Sequence, residues 1–333
     1  MRSRKSLKLK KAAIIVSVSL VVLLVILPMV AAFSVYGVLF REQPETNTDV
    51  KLLLSDFPGL SSRRYEFESN SGQILVGYSY EYGDVPHDAL VIMAHGLGSE
   101  VQQDSIEIAE FFAQNGFSVF VYDATGYGES EGRSSKGFPQ GIIDLSAAID
   151  FAESCSDFKD LPIVLYGYSW GAYSASSVLI YHPEVKAAAS ISGFNNALDL
   201  IESKGRSFGG AVSLIGMPYF RLIENARFKD YAGDSSMEGF EGSDAEIFIV
   251  HSLDDKNISP KDGYDLYFER FSGTERFTFV EFEDRGHDPM HFPGVFEENS
   301  LSDISPKEKS ALDKALLKQI SDMFREAACG SRQ

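Results

Sequence analysis

Apolar runs of strand length alternate with helical patterns along most of this chain. Six runs are apolar almost throughout, which is typical of parallel strands buried on both faces. They span 89–94, 118–123, 163–167, 187–192, 246–251 and 277–282. The helical patterns lie at 103–115, 138–154, 171–181, 261–271 and 307–327. This alternation predicts an α/β fold in which helices cover both faces of a mostly parallel sheet.

Two regions depart from the regular alternation. The runs 64–68 and 74–82 precede the first helical pattern and predict an antiparallel pair at one edge of the sheet. Residues 195–244 separate two predicted strands by about 50 residues, whereas ordinary connections take roughly 2–6 residues besides one helix. The apolar spacing in this interval suits short helices. We therefore predict one domain at 57–333, with an insertion at 195–244.

The amino-terminal region contains 29 consecutive uncharged residues, 12–40, rich in Val, Leu and Ile. Roughly 20 such residues in a helix span a bilayer. All charged residues before them are basic, so we predict a cytoplasmic tail at 1–11, a transmembrane anchor at 12–40 and a body outside the cytoplasm. A polar tether follows at 41–56. The alternative is a secreted protein with a cleaved signal peptide, because residues 30–32 resemble a cleavage site; the length of the apolar stretch favours the anchor.

The composition of the chain indicates which partners are not expected and whether the cysteines form a disulfide. The chain carries 30 basic and 48 acidic residues, a formal charge of −18, and none of the acidic residues lies in the first forty. The body is therefore more negative still and would be repelled by nucleic acid phosphates, so nucleic acid is not an expected partner. Cys155 and Cys329 lie far apart in a domain that is large enough to fold without a disulfide. We expect two free thiols, with a single bridge as the alternative.

The strongest motif is G-x-S-x-G at residues 167–171, which follows a predicted strand and precedes a predicted helix. This is the setting in which the motif forms a sharp strand-to-helix turn. Glycines two positions before and after the serine relieve clashes in that turn, so that the hydroxyl of Ser169 projects into a cleft. Ser169 is the candidate nucleophile. The alternative is an ordinary serine in a surface turn.

A serine hydroxyl is a poor nucleophile near neutral pH and needs a base, which an acid orients. Where this motif is catalytic, the acid and then the histidine follow the serine along the chain. Asp254 and Asp255 both stand behind the predicted strand 246–251 and compete for the role of the acid. His287 stands behind the last predicted strand and is the candidate base, with His291 as the alternative.

Negative charge that develops on a carbonyl oxygen must be met by preorganised donors. The backbone amide of Trp170 is one candidate, because it directly follows Ser169. The second is expected in the loop 95–98 behind the first predicted parallel strand, where we choose the amide of Leu97. His95 and His251 both stand at strand ends, and we expect them to support their loops rather than to react.

Two further patterns do not indicate a cofactor or a metal. The loop 123–132 has glycines in part of the dinucleotide-binding spacing, but Glu131 occupies the position of the third glycine. His287 and His291 have the i, i+4 spacing of a helical metal site, yet Pro289 between them opposes a helix. No H-E-x-x-H pattern occurs either. We therefore expect neither a cofactor nor a metal.

Together these motifs resemble the α/β-hydrolase superfamily, and in particular the bacterial hydrolases grouped with serine aminopeptidases and monoglyceride lipases. The resemblance covers about residues 63–327 and rests on His95-Gly96, Asp123, Gly126 to Ser130, Gly167 to Gly171, Asp255 and Gly286-His287. In that family the acid stands four residues after the histidine that ends the strand, which implies Asp255 rather than Asp254. Ser252 stands where the family often has glycine. The resemblance also implies that 195–244 is a small helical cap.

The leading functional hypothesis is an ester hydrolase, either a carboxylesterase or a lipase-like enzyme, that acts on a small-molecule or lipid-like acyl substrate through an acyl-enzyme. The first alternative is a serine aminopeptidase or another amide or thioester hydrolase. An aminopeptidase needs a carboxylate to bind a free amine, and the candidates in the insertion are Glu202, Glu224, Glu238 and Glu241. The alternative from another class is a non-catalytic, surface-anchored binding module.

Overall fold

The computed structural model describes residues 2–41, 53–83, 87–98, 101–292 and 312–330. Its strands are β1 (Leu60–Glu68), β2 (Ile74–Tyr82), β3 (Leu90–Ala94), β4 (Ser118–Tyr122), β5 (Ile163–Tyr168), β6 (Ala187–Ile191), β7 (Glu246–Ser252) and β8 (Phe277–Phe282). Its helices are α1 (Arg2–Val21), α2 (Leu27–Leu39), α3 (Val101–Gln114), α4 (Pro139–Ser154), α5 (Trp170–Ser177), α6 (Ala197–Gly209), α7 (Met217–Phe228), α8 (Ser236–Gly242), α9 (Tyr264–Phe271) and α10 (Lys314–Gly330).

All eight strands form one sheet in the order β1-β2-β4-β3-β5-β6-β7-β8. The strand β2 pairs antiparallel with β1 and with β4, and the remaining neighbours are parallel. Residues of β3, β4 and β6 are buried without exception, as expected for strands covered on both faces. The predicted α/β architecture, with an antiparallel pair at one edge, is confirmed.

Helices cover both faces of this sheet. Phe120 and Leu165 stand in register across β3 and therefore point to the same face, where the Phe120 ring lies 5.6 Å from the Phe151 ring of α4. Tyr166 follows Leu165 and points to the opposite face, where its ring lies 5.8 Å from the Phe112 ring of α3. The carboxyl ends of the parallel strands all lie at the same end of the sheet. In such sheets ligands bind at that end.

Between β6 and β7 lie α6, α7 and α8, with 3₁₀ helices at Gly210–Gly216 and Lys229–Tyr231. We call this group, residues 197–242, the cap. The helix α6 begins behind Asn196, whose side chain accepts hydrogen bonds from the amides of Leu198 and Asp199. The helix α8 begins with a capping box between Ser235 and Glu238. Short helices therefore fill the interval where the strand pattern was interrupted.

The amino-terminal helix consists of α1, a π-helical stretch (Val22–Ile26) and α2. Within the described residues it is the one helix long and apolar enough to cross a membrane; it spans Lys10–Leu39 and contains an 18-residue stretch with a mean hydropathy of 3.0. Most of its large apolar side chains between residues 14 and 39 are exposed. A protein in water seldom leaves so large an apolar surface uncovered.

The end of this helix packs against the domain, whereas the sequence pattern predicts only an anchor. Ala32, Tyr36 and Phe40 are spaced four residues apart and are 2%, 0% and 1% exposed. The Phe40 ring lies 4.8 Å from the ring of Phe138, and the Tyr36 ring lies 6.3 Å from that of Phe220 in α7. One face of α2 is thus part of the protein core.

Glu224 of α7 lies at this contact and is fully buried. The Tyr36 hydroxyl donates a hydrogen bond to its Oε1 over 3.3 Å, and its Oε2 has no partner among the described residues. Burial raises the pKa of Glu224 from 4.5 to about 7, against a smaller lowering by the Tyr36 hydrogen bond. Between pH 4.5 and about pH 7, the Glu224 carboxyl is therefore protonated in the folded state and ionised in the unfolded state.

We expect Glu224→Gln to stabilise the protein above pH 7. Because the folded-state pKa is raised, wild-type stability falls as the pH rises from 4.5 to about 7, by about 3 kcal/mol. The variant has no such charge to bury, so its urea unfolding in detergent micelles should depend less on pH over this window. Glu202→Gln is the control, because Glu202 is partly exposed and pairs with Arg206. An equal gain from both variants, or none from Glu224→Gln, would contradict this account.

Candidate active site

Ser169 lies in a sharp turn between β5 and α5, with φ 55° and ψ −112°. A positive φ is uncommon for a residue other than glycine and is held only by its surroundings. A Cβ on Gly167 would lie 2.3 Å from the carbonyl oxygen of Gly171, and a Cβ on Gly171 would lie 2.0 Å from that of Ala94. Both glycines of the motif are therefore required by close backbone contacts, as the sequence spacing indicated.

The structure brings Ser169, His287 and Asp255 together from three separate loops. The Nε2 atom of His287 lies 2.9 Å from the Ser169 Oγ, and its Nδ1 atom lies 2.7 Å from Asp255 Oδ2. These are hydrogen-bond distances on both sides of one imidazole. The arrangement can pass the serine proton to the histidine while the carboxylate stabilises the resulting charge.

The side chain of Asp255 is fully buried, and its other oxygen is held by the backbone. Its Oδ1 accepts hydrogen bonds from the amides of Asn257, over 2.7 Å, and Ile258, over 3.0 Å. Burial alone would raise the pKa of Asp255, but the hydrogen bonds from His287 and these amides outweigh it and leave the pKa below its usual value. Asp255 is therefore a charged carboxylate in a fixed orientation.

Asp254 does not contact the imidazole but holds the loop that carries it. Its Oδ1 accepts hydrogen bonds from the Ser252 hydroxyl over 2.7 Å and from the Gly286 amide over 2.8 Å. Both hydrogen bonds lower the pKa of Asp254, and the bond from Ser252 has the larger effect. The Ser252 hydroxyl also accepts from the Arg285 amide over 2.9 Å. Ser252, which replaces the common glycine, thus joins the acid loop to the histidine loop.

His251 and His95 stabilise the loops beside the site. His251 Nε2 lies 3.0 Å from the Ile258 carbonyl oxygen, which closes the acid loop, and burial lowers its pKa. His95 Nδ1 lies 2.7 Å from the Gly96 carbonyl oxygen, and its Nε2 accepts from the Ala124 amide over 3.1 Å. Only the neutral ring with a proton on Nδ1 satisfies both contacts. Burial lowers the pKa of His95 to about 4, which agrees with that neutral form.

The two candidate amide donors lie on segments that pack against each other. Trp170 begins α5 directly behind Ser169, and Leu97 lies in the loop whose start, at Ala94, closely approaches Gly171. In the described part of the chain neither amide donates to a protein acceptor, whereas the next amide, that of Gly98, donates to the Tyr127 hydroxyl over 3.2 Å. The amides of Trp170 and Leu97 thus remain available to a ligand.

The other candidate residues lie apart from this cluster. His291 Nδ1 contacts Asp288 Oδ2 over 2.7 Å rather than Ser169. Across the residues described, no three His, Cys, Asp or Glu side chains are grouped so as to hold a metal ion. Cys155 and Cys329 are free. In the loop 123–132, a Cβ on Gly128 would lie 2.1 Å from an Asp123 carboxylate oxygen, so this segment is a tight turn.

Comparison with known proteins shows a shared fold and a family similarity over part of the chain. Residues 85–200 match the family model described as serine aminopeptidase, S33; this stretch contains Leu97 and Ser169 and ends before Asp255 and His287. The structure of the Pyrococcus furiosus esterase Pf2001 aligns with a TM-score of 0.61 at 14% identity, over 86% of this chain and 98% of that one, so the fold is shared. With the eight-stranded sheet, these findings show that the chain has the α/β-hydrolase fold.

Two curated relatives are similar in sequence over a shorter stretch. The caffeoylshikimate esterase of Arabidopsis thaliana is 32% identical over 115 residues, which is 34% of this chain and 34% of the relative. The quorum-quenching protein AidA of Acinetobacter baumannii is 30% identical over 108 residues, 32% of this chain and 35% of the relative. The matches thus span about a third of the length of these two relatives.

Proposed function

We propose that this protein is a membrane-anchored serine hydrolase that cleaves carboxylic esters, as a carboxylesterase or a lipase-like enzyme does. The observation that carries the proposal is the continuous line of hydrogen bonds from the Ser169 hydroxyl through His287 to Asp255. Ser169 lies in a strained turn, and the close backbone contacts of Gly167 and Gly171 hold that turn in place. Backbone strain of this kind is a cost that functional sites commonly carry.

In the proposed reaction the Ser169 oxygen attacks the ester carbonyl while His287 Nε2 takes its proton. The amides of Trp170 and Leu97 donate hydrogen bonds to the negative oxygen of the tetrahedral intermediate. His287 returns the proton to the leaving alkoxide, so that an alcohol departs and an acyl-enzyme remains. Water then attacks the acyl carbon with the same histidine as base, which releases a carboxylic acid and restores Ser169.

The surroundings of the four candidate glutamates in the cap favour an ester over a peptide with a free amine. Glu202 pairs with Arg206, Glu241 pairs with Arg270, and Glu238 is occupied in the capping box of α8. Glu224 is buried against Tyr36. All four therefore have structural roles. Two similar proteins, caffeoylshikimate esterase and esterase Pf2001, are named as esterases, which points the same way.

The anchoring part of the proposal rests on the packing of the amino-terminal helix. Residues 30–32 belong to α2, and Ala32 is buried against the domain. A helical and partly buried segment is a poor substrate for a peptidase, which supports a retained anchor over a cleaved signal peptide. The basic residues before it favour a domain outside the cytoplasm.

A fluorophosphonate probe and two classes of substrate test this function. In detergent micelles, wild-type protein should be labelled on Ser169 and should cleave short-chain nitrophenyl esters much faster than aminoacyl anilides. Ser169→Ala should not be labelled. Folded wild-type protein that resists the probe would instead fit a non-catalytic binding module, and cleavage of anilides alone would indicate an aminopeptidase.

A further inference from the structure

Four exposed apolar side chains lie within fifteen residues of the cap. Phe208 is 92% exposed, Val212 72%, Leu222 58% and Ile215 44%. They lie at the end of α6, in the 3₁₀ helix Gly210–Gly216 and in α7, which follow one another and are in contact. Isolated exposed apolar residues are ordinary, but a group of this kind marks an interaction surface.

The segment 203–229, which carries these side chains, differs in charge from the chain as a whole, although its Arg206 pairs with the flanking Glu202. Between residues 203 and 229 there are five basic residues and a single acidic one, Glu224, which is buried. The basic residues are Lys204, Arg206, Arg221, Arg227 and Lys229. The whole chain, in contrast, has a formal charge of −18. Apolar side chains among basic ones are typical of helices that lie in the interface of an anionic bilayer.

The amino-terminal helix fixes the position of this segment relative to a bilayer. Its uncharged stretch of 29 residues is about 43 Å long as a helix, whereas the hydrocarbon core is about 30 Å thick. If the core begins at the basic tail, residues 32–40 lie at the level of the headgroups. These are the residues that contact the cap, and both α7 and Gly210–Gly216 contact α2.

We propose that the surface of the cap formed by Phe208, Val212, Ile215 and Leu222 with the basic residues around them contacts the interface of an anionic lipid bilayer. This rests on the proposed anchor, since α2 sets the level of the cap. Phe33, Val35 and Val38 of α2 are exposed as well, and α2 contacts both parts of the cap that carry Val212, Ile215 and Leu222. The domain is then held against the membrane on two sides rather than hanging from a tether.

Quenching by brominated lipids tests this contact in the full chain. The protein has one tryptophan, Trp170, which is buried and gives a constant background. Phe208→Trp and Leu222→Trp are each reconstituted into vesicles of phosphatidylcholine with a minority of phosphatidylglycerol, brominated near the headgroup. Both should lose a large part of the added emission. Phe268→Trp, on α9 at 49% exposure, is the matched control and should lose little.

Val18→Trp, near the carboxyl end of α1 and within the uncharged stretch 12–40, separates this proposal from the anchor itself. Lipid brominated deep in the chains should quench it. Quenching of Val18→Trp without quenching at residues 208 and 222 would overturn the cap contact and leave the anchor standing. Absence of quenching at all three positions would overturn both the cap contact and the membrane anchor. The proposal that Ser169 hydrolyses esters would still stand, because it does not depend on either.

The anionic preference has its own test. Quenching of Phe208→Trp should be stronger in vesicles with phosphatidylglycerol than in phosphatidylcholine alone. Reversal of two exposed charges, Arg221→Glu with Lys229→Glu, should abolish that difference and leave ester hydrolysis in detergent unchanged. Equal quenching of Phe208→Trp in both vesicles would overturn the assignment to an anionic surface.

Discussion

Replacement of Ser169 by alanine is expected to lower kcat for a nitrophenyl ester by about 10⁴- to 10⁶-fold. The variant lacks the oxygen that stands 2.9 Å from His287 Nε2 and therefore cannot form the acyl-enzyme. Alanine places a Cβ in the same strained backbone, so the fold should be retained, with a change of stability within about 1 kcal/mol. Initial rates in detergent micelles and the midpoint of urea unfolding measure both quantities.

Ser174→Ala is the matched control for this variant. Ser174 lies in α5, the helix that Ser169 precedes; it is buried and donates its hydroxyl to the Trp170 carbonyl oxygen over 2.9 Å. It should keep its activity within about tenfold, because the loss of one such hydrogen bond costs about 1 kcal/mol. His287→Ala should be as inactive as Ser169→Ala, and the double variant no worse, since the two residues act as a unit. A Ser169→Ala protein with near wild-type activity would place the nucleophile elsewhere.

The sheet could be predicted because its signals are local. A parallel strand buried on both faces is apolar almost throughout, so the run 163–167 marks the observed β5, Ile163–Tyr168, to within one residue. The signal for the sharp turn at Ser169 is local as well, because a turn this tight excludes a side chain at Gly167 and Gly171. His287 could be proposed only from its place behind the last strand, since the contact with Ser169 spans 118 residues.

The packing of α2 on the cap could not be read from the sequence. Every position of 12–40 is uncharged, so the spacing of Ala32, Tyr36 and Phe40 does not stand out against an apolar background. The burial of Glu224 could not be predicted either, because the sequence of a helix does not show whether a glutamate faces solvent. For that reason Glu224 was a candidate for binding an amine. Both facts depend on how α2 meets α7, and that contact joins residues 188 positions apart.

The choice between Asp254 and Asp255 also exceeds what the sequence determines, because neighbouring carboxylates behind one strand differ only in direction. We expect Asp255→Asn to lower kcat by about 10⁴-fold, the size of effect seen when a catalytic aspartate is made neutral in such a triad. The amides of Asn257 and Ile258 require an acceptor at the Oδ1 position. The new amide nitrogen must therefore face His287 Nδ1, which forces the proton onto Nε2, where it blocks transfer from Ser169.

Asp254→Asn is the matched variant, and its expected effect is at most about tenfold. Its Oδ1 can still accept from the Ser252 hydroxyl and the Gly286 amide, so the loop that carries His287 keeps its position. Steady-state rates of the two variants on the same ester decide between the carboxylates. A large loss with Asp254→Asn and a small one with Asp255→Asn would reverse the roles, and the hydrogen bond between His287 and Asp255 would then be structural.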